Sequence, residues 1–316
     1  MQTSTETKPL EPARAFAVLE LVFAASFWGF GFIAAIWALG AMGPLAITGW
    51  RFALASLTGL LICLATPGLR RHLTRKSFFL AAIPGFCLSL TLVLQTWGLR
   101  TTTATKSGFI TCLYVLIVPL LEQAFFKRKI HRLHFLFVLI ALGGTALICG
   151  FQPHTLVAGD WNFGDFLTLL CAVAASFHIL VLGVVSTRAE SSFVFNLCQS
   201  IWAGALPLAL SFIFEPAIKW PVTGKPLIGL LALAYGSTLI AFSLQIRAQK
   251  KISPSIASLL FLLESPFATL YAIYFLGESL TTLQWAGAGL IMIAVIASTF
   301  ASSELMTSER EVNGNP

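Results

Sequence analysis

The chain has 316 residues, of which 57% are hydrophobic and only 10% are charged, with a formal net charge of +7. A soluble domain is about 45–50% apolar and about 25% charged, so too few polar side chains remain here to cover a water-exposed surface. That excludes a soluble enzyme, a disordered chain and a coiled coil, and the mean hydropathy of +0.85 points the same way.

Ten apolar runs follow in chain order, at 15–39, 44–65, 78–98, 107–126, 133–151, 164–186, 193–214, 226–247, 254–276 and 281–301. Each is close to the roughly 20 residues that a helix needs to cross a bilayer. The period-two alternation of a membrane barrel is missing, and helices satisfy their own backbone hydrogen bonds in lipid. The expected fold is an all-α integral membrane protein of ten transmembrane helices. The polar start, MQTSTETKPLEP, and the lack of a small-residue cleavage site predict that the first helix is retained rather than removed as a signal peptide.

Fifteen Lys and Arg side chains fall on one set of connections: Lys8, Arg14, Arg70, Arg71, Arg75, Lys76, Lys127, Arg128, Lys129, Arg132, Arg188, Arg247, Lys250, Lys251 and Arg310. The opposite set holds four, Arg100, Lys106, Lys219 and Lys225. The positive-inside rule then predicts both termini in the cytoplasm, and it accounts for the basic balance without a nucleic-acid partner. Trp37, Trp97, Trp161, Trp220 and Trp285 lie at the non-cytoplasmic ends, as an interfacial belt requires, while Trp28, Trp50 and Trp202 lie deeper. Six cysteines (Cys63, Cys87, Cys112, Cys149, Cys171, Cys198) sit inside apolar runs with no CxxC pair, so they read as small buried hydrophobes.

The chain also resembles itself. Ala24-Ala25-Ser26-Phe27-Trp28 recurs as Ala174-Ala175-Ser176-Phe177-His178, and Leu94-Gln95 recurs as Leu244-Gln245, both at an offset of 150. Thr103-Ala104-Thr105 then matches Ser253-Pro254-Ser255. Two five-helix units follow: a tail 1–14, a first unit 15–151, a linker 152–163, a second unit 164–301 and a disordered tail 302–316. Five is odd, so the second unit enters the membrane with opposite orientation. Inverted repeats are a transporter architecture, with the site near the bilayer midplane between the units.

The residues that carry this pattern resemble the EamA-type members of the drug/metabolite transporter superfamily. They are Phe27-Trp28-Gly29-Phe30-Gly31-Phe32, Trp50-Arg51-Phe52, the run from Thr101 to Leu120, and ISPSIASLLFLLESPFATLYAIYFLGESLT from Ile252 to Thr281. Two departures stand out. Ser265 separates Glu264 from Pro266, where many members have the two adjacent, and Phe126-Lys127-Arg128-Lys129 replaces the first-half Leu-Gly-Glu. The resemblance implies a secondary transporter of amino acids and similar metabolites, usually exporting and often exchanging them for protons. It also implies a bacterial inner membrane.

Glu264 is the foremost candidate for the transport path. It follows Pro254 by ten residues, about 15 Å along a helix, and an ionised carboxylate at such depth is a functional group by default. The plainer alternative is a protonated carboxyl bonding a carbonyl freed by Pro266. Arg51 either meets an anionic group of the solute or Glu264, or snorkels to the headgroups. Gln199, with Asn196 one turn before it, stands at what reads as the matching place in the second half. Trp28 and His178 are repeat mates near mid-helix, the first suited to cation–π contact and the second to a shifted protonation equilibrium; core packing is the alternative for both. Gln95 and Gln245 are repeat mates placed to act as gates on opposite sides, or as interhelical hydrogen-bonding glue. Gly29, Gly31, Gly143, Gly144, Gly287 and Gly289 read as close helix contacts, and Pro119 and Pro266 as bends.

No HExxH, GxxxxGK[ST], GxSxG or GxGxxG is found, so the chain reads as no enzyme and without its own nucleotide site. His131 and His134 have helical spacing but sit among cations that repel a metal, so neither a metal nor another cofactor is expected. The partners are a small-molecule substrate and the lipid bilayer, with protons and a homodimer left open. Three alternatives stay open: exchange of a nucleotide-like cofactor held by Arg51, an enzyme on lipid-linked substrates, and a scaffold in a larger complex.

Overall fold

The computed structural model describes residues 12–98, 100–102, 104–127, 132–148, 162–215, 223–277 and 279–312. The tail before residue 12, most of the linker 152–163, Arg128, Lys129, His131, Cys149, Trp161, Lys219, Trp220 and Glu278 lie outside them, as do the side chains of Lys106 and Arg310.

Every regular element among the described residues is helical. The first half contains α1 (Pro12–Leu39), α2 (Pro44–Ala65), the short α3 (Pro67–Arg70) and α4 (Arg75–Leu80), α5 (Ala82–Gly98), α6 (Ala104–Thr111), α7 (Tyr114–Phe126) and α8 (Arg132–Ile148). The second half contains α9 (Phe163–Val185), α10 (Ser192–Phe214), α11 (Gly224–Leu231), a π-helical stretch Ala232–Ile240, α12 (Ala241–Ala248), α13 (Pro254–Phe261), α14 (Glu264–Leu276) and α15 (Thr282–Val312). Eight segments are long and apolar enough to cross a membrane, and α5 and α8 are shorter apolar helices. The protein is a multi-pass membrane protein. The last helix runs on to Val312, into the stretch 302–316 expected to be a disordered tail. Glu304, Leu305 and Met306 are good helix formers that extend an already nucleated helix.

The offset of 150 runs through the element boundaries themselves. α5 matches 232–248, α6 matches α13, α7 matches α14, and α8 begins 150 residues before α15. Even the helix ends correspond: Lys127 after α7 has φ 53° and Gly277 after α14 has φ 69°. At that left-handed position glycine is unstrained and lysine is not.

The halves interlock. α1 packs along α11–α12 and against α14, and α9 packs in the mirrored way along α5 and against α6–α7. α2 pairs with α10, and α8 pairs with α15. A Cβ on Gly144 would stand 2.6 Å from the Gly287 carbonyl, and one on Gly29 2.7 Å from the Ala268 nitrogen, so these glycines permit close backbone approach. Gly31 likewise abuts the Ser237 hydroxyl, whereas Gly143 and Gly289 face open space and are not contact residues.

Helix ends inside an apolar bundle need partners for their first N–H groups. Two carboxylates supply them from the other half. Glu215, at the end of α10, accepts from the Leu45 and Ala46 N–H groups at 3.1 and 2.9 Å, capping α2. Glu122 of α7 accepts from the N–H of Ser255 at 3.0 Å and from its hydroxyl, capping α13. Pro44 and Pro254 open those helices, where the missing N–H is harmless.

Both α6–α7 and α13–α14 are single spans broken near their middle. At 112–113 and 262–263 the backbone bonds shorten to the i+3 pattern. The second break lies just before Pro266, whose missing N–H leaves the Leu262 carbonyl to the N–H of Ser265. The first break precedes Pro119 by more than a turn, so that proline does not cause it.

Candidate functional site

A cavity of about 160 Å³ lies between the halves, walled by α1, α2, α5, the α6–α7 and α13–α14 breaks, α9 and the 232–248 segment. Trp28, Arg51, Gln95, His178, Gln245 and Glu264 all line it. Gln199 is the exception: it is fully buried behind His178, with its Oε1 3.4 Å from the imidazole Nε2. The position 150 residues after Arg51 is Ile201, so the expected polar pair on α2 and α10 does not form across the cavity.

Local chain geometry fixes each group. The Arg51 side chain does not snorkel; it is 8% exposed and donates through Nε to the Thr238 hydroxyl at 2.9 Å. Thr238 belongs to the π-helical stretch, whose wider turn frees backbone carbonyls for outside donors. Trp28 Nε1 donates to the Ser237 carbonyl at 3.1 Å, and the Asn196 amide donates to the carbonyls of Thr238 and Leu239 at 3.0 and 3.1 Å. The Trp28 ring is thereby held edge-to-face with Phe261, at 5.1 Å between centroids. Trp202 stays out of the cavity, donating to the Phe78 carbonyl.

Glu264 is the first residue of α14, at the positive end of a half-helix within the membrane. Its carboxylate makes no side-chain hydrogen bond among the described residues, so it does not bind a carbonyl freed by Pro266. Arg51 is the cation whose field acts on it, yet no ion pair within 4.0 Å joins them among the described residues. Both side chains line the cavity with unused hydrogen-bonding capacity.

Tyr114 is the site residue that sequence reasoning missed. It opens α7 as Glu264 opens α14, stands 150 residues before it, lines the cavity and makes no hydrogen bond among the described residues. Subtracting the repeat offset from Glu264 finds it at once. Around these groups the hydroxyls of Thr48, Thr91 and Thr96 donate back to the carbonyls of Pro44, Cys87 and Leu92, which leaves oxygen lone pairs for the cavity.

The cavity is lopsided. Ala35, Thr48 and Thr96 line it, whereas the residues 150 positions later, Val185, Cys198 and Ile246, do not. Its lining extends further toward the end of the bundle where Glu215 meets α2 than toward the end that gathers the basic loops. At that basic end His72 Nδ1 bonds Glu190 at 2.7 Å, and Lys250 donates to the Ala189 carbonyl at 2.6 Å. Partial burial lowers the pKa of the Lys250 ammonium below its ordinary value.

The apolar bundle thus encloses a central cavity lined by both an arginine and a glutamate. The sequence matches the EamA-like transporter family twice, over residues 15–150 and 162–300, and the chain belongs to that family. It is 30% identical to an uncharacterized transporter of Archaeoglobus fulgidus, over 90% of this chain and 85% of that protein. An uncharacterized transporter in the trpA 3' region of Buchnera aphidicola is 26% identical, over 74% of this chain and 76% of its own length. One solved crystal structure superimposes with a TM-score of 0.74 at 21% identity, over 88% of this chain and 95% of that one; the likeness is one of fold.

Proposed function

We propose that the protein is a secondary transporter of small zwitterionic metabolites, amino acids or close relatives, which it exports by alternating access in exchange for protons. The observation that carries this reading is the separated pair in one cavity: Arg51 and Glu264, opposite in charge, unbridged and facing the same space. A solute with a carboxylate and an ammonium satisfies both at once, and the free Tyr114 hydroxyl and threonine oxygens add acceptors for the ammonium. The volume of about 160 Å³ is small beside the about 300–1,000 Å³ of drug-sized sites, which weighs against a nucleotide-like solute.

In this reading the ten apolar segments all cross the membrane, as two inverted five-helix units, with both termini in the cytoplasm of a bacterial cell. The paired boundaries at offset 150 and the two separate family matches support that arrangement. Glu264 carries either a proton or the solute's ammonium, not both, and that exclusivity couples the two fluxes.

The test is purified protein in liposomes holding a pH-sensitive dye, challenged with amino-acid pools. Solute-dependent proton movement with the wild type and none with Glu264→Gln is the expected outcome. Solute exchange that is equal in both, without proton movement, overturns the role of Glu264.

A further inference from the structure

The basic end of the cavity is bridged by buried polar contacts whose residues are not repeated in the first half. Gln245 donates through Nε2 to Gln249 Oε1 at 2.9 Å, and Gln249 Nε2 donates to the Ile179 carbonyl at 3.1 Å. Both side chains are buried, at 1% and 2% exposure, and Gln245 Oε1 has no hydrogen-bond partner among the described residues. Beside them Arg247 Nε pairs with the buried Glu20, tying α12 to α1. The residues 150 positions away cannot repeat this. Gln95 lines the cavity without a hydrogen bond among the described residues, position 99 is Leu in place of Gln249, and Leu170 and Trp97 stand for Glu20 and Arg247.

We propose that Gln249 is a positioning residue for transport: its bridge from Gln245 to the Ile179 carbonyl latches the basic end shut, and its release turns the Gln245 carboxamide to the solute on that side. The inference rests on the alternating-access reading above. Gln95 and Gln245 then trade places. In this conformation Gln95 is the free amide and Gln245 the tied one; in the other, Gln245 is free. The orphaned Gln245 Oε1 suits that exchange, since an acceptor buried without a donor is relieved once the floor opens.

The test uses the full chain in proteoliposomes with two single-cysteine reporters. One keeps the native Cys198, which is fully buried toward the basic end; the other carries Thr96→Cys, at the half-buried cavity wall. Both are labelled with a maleimide. Gln249→Leu, which installs the residue of position 99, is expected to speed Cys198 labelling roughly tenfold, the worth of about one buried hydrogen bond, and to slow labelling at residue 96. Half-saturation by an amino-acid pool should fall when measured from the basic face and rise from the other. Gln249→Glu keeps the acceptor for Gln245 but loses the donor to Ile179, and should lie between, which preserves the test if the leucine variant folds poorly. A merely structural role lowers yield and thermal stability without moving the two reporters in opposite directions. Rates that stay fixed or move together in both variants overturn the latch. If the two reporters exchange accessibility when solute is added to the wild type, the carrier reading survives that loss. If they never do, alternating access itself fails.

Discussion

Ala82–Gly98 in the first half and 232–248 in the second occupy matching places, yet they are built differently. The first is a regular helix whose Gln95 is free in the cavity. The second opens into a π-helical stretch whose carbonyls are bound by Trp28 and Asn196, and it ends with Gln245 tied to Gln249. The same holds at the breaks, where Tyr114 and Glu264 sit at equivalent half-helix starts with a phenol on one side and a carboxylate on the other. Duplication therefore supplies the frame, and divergence supplies the chemistry. A symmetric site would offer two like groups; this one offers a carboxyl group and a guanidinium.

The sharpest way to break that comparison is to change the breaks themselves. Glu264→Gln is expected to lower the initial exchange rate in proteoliposomes by about 10- to 100-fold, because hydrogen bonds to charged groups are worth about 1.5–3 kcal/mol. Tyr114→Phe removes a neutral hydroxyl and should cost only about 2- to 10-fold. Equal losses would mean that the halves share the chemistry after all.

The next largest effect concerns packing. Gly29→Ala brings a Cβ to 2.8 Å from Phe267 Cβ and 2.7 Å from the Ala268 nitrogen. It should destabilise the protein by about 1–3 kcal/mol as α1 is forced off α14. Gly289→Ala meets nothing within 4 Å and should stay within about 0.5 kcal/mol of wild type. Unfolding in detergent micelles measures both.

Arg51→Lys keeps the charge but loses the Nε donor to Thr238, so half-saturation should rise by about fivefold while the fold is retained. A transport assay against an amino-acid series reads that change. Glu215→Gln weakens the cap on α2 by removing its charge, and a loss of about 1 kcal/mol in unfolding free energy is expected. A larger loss would make that end, rather than the basic end, the tighter one.

Much of the fold was legible in the sequence because lipid imposes a simple rule. Runs such as 44–65 and 193–214 are apolar for the length of a bilayer, and the structure places α2 and α10 there within a residue. Of the seven candidate residues, six reach one cavity, since a polar side chain in mid-span seldom faces lipid. Gln199 did not, and Tyr114, Glu122 and Glu215 went unread. For a helix that is apolar all round, hydropathy gives no preferred face, so the rotation that turns Gln199 behind His178 leaves no periodic signal. Glu122 and Glu215 lie near run ends, where a carboxylate reads as ordinary, and their purpose appears only when the capped helix comes from the other half of the chain.

By itself, then, the sequence determined that the chain lives in a membrane, that it is helical, that it is built twice at a spacing of 150, and that Glu264 and Arg51 are its exceptional residues. Those features follow from transfer free energies and local spacing, which act residue by residue. Only the tertiary structure decided that these two side chains share a cavity without an ion pair, that Tyr114 joins them, and that Gln249 bridges Gln245 to the Ile179 carbonyl. Such facts depend on helix rotation and on contacts between different helices, which no local property of the chain encodes.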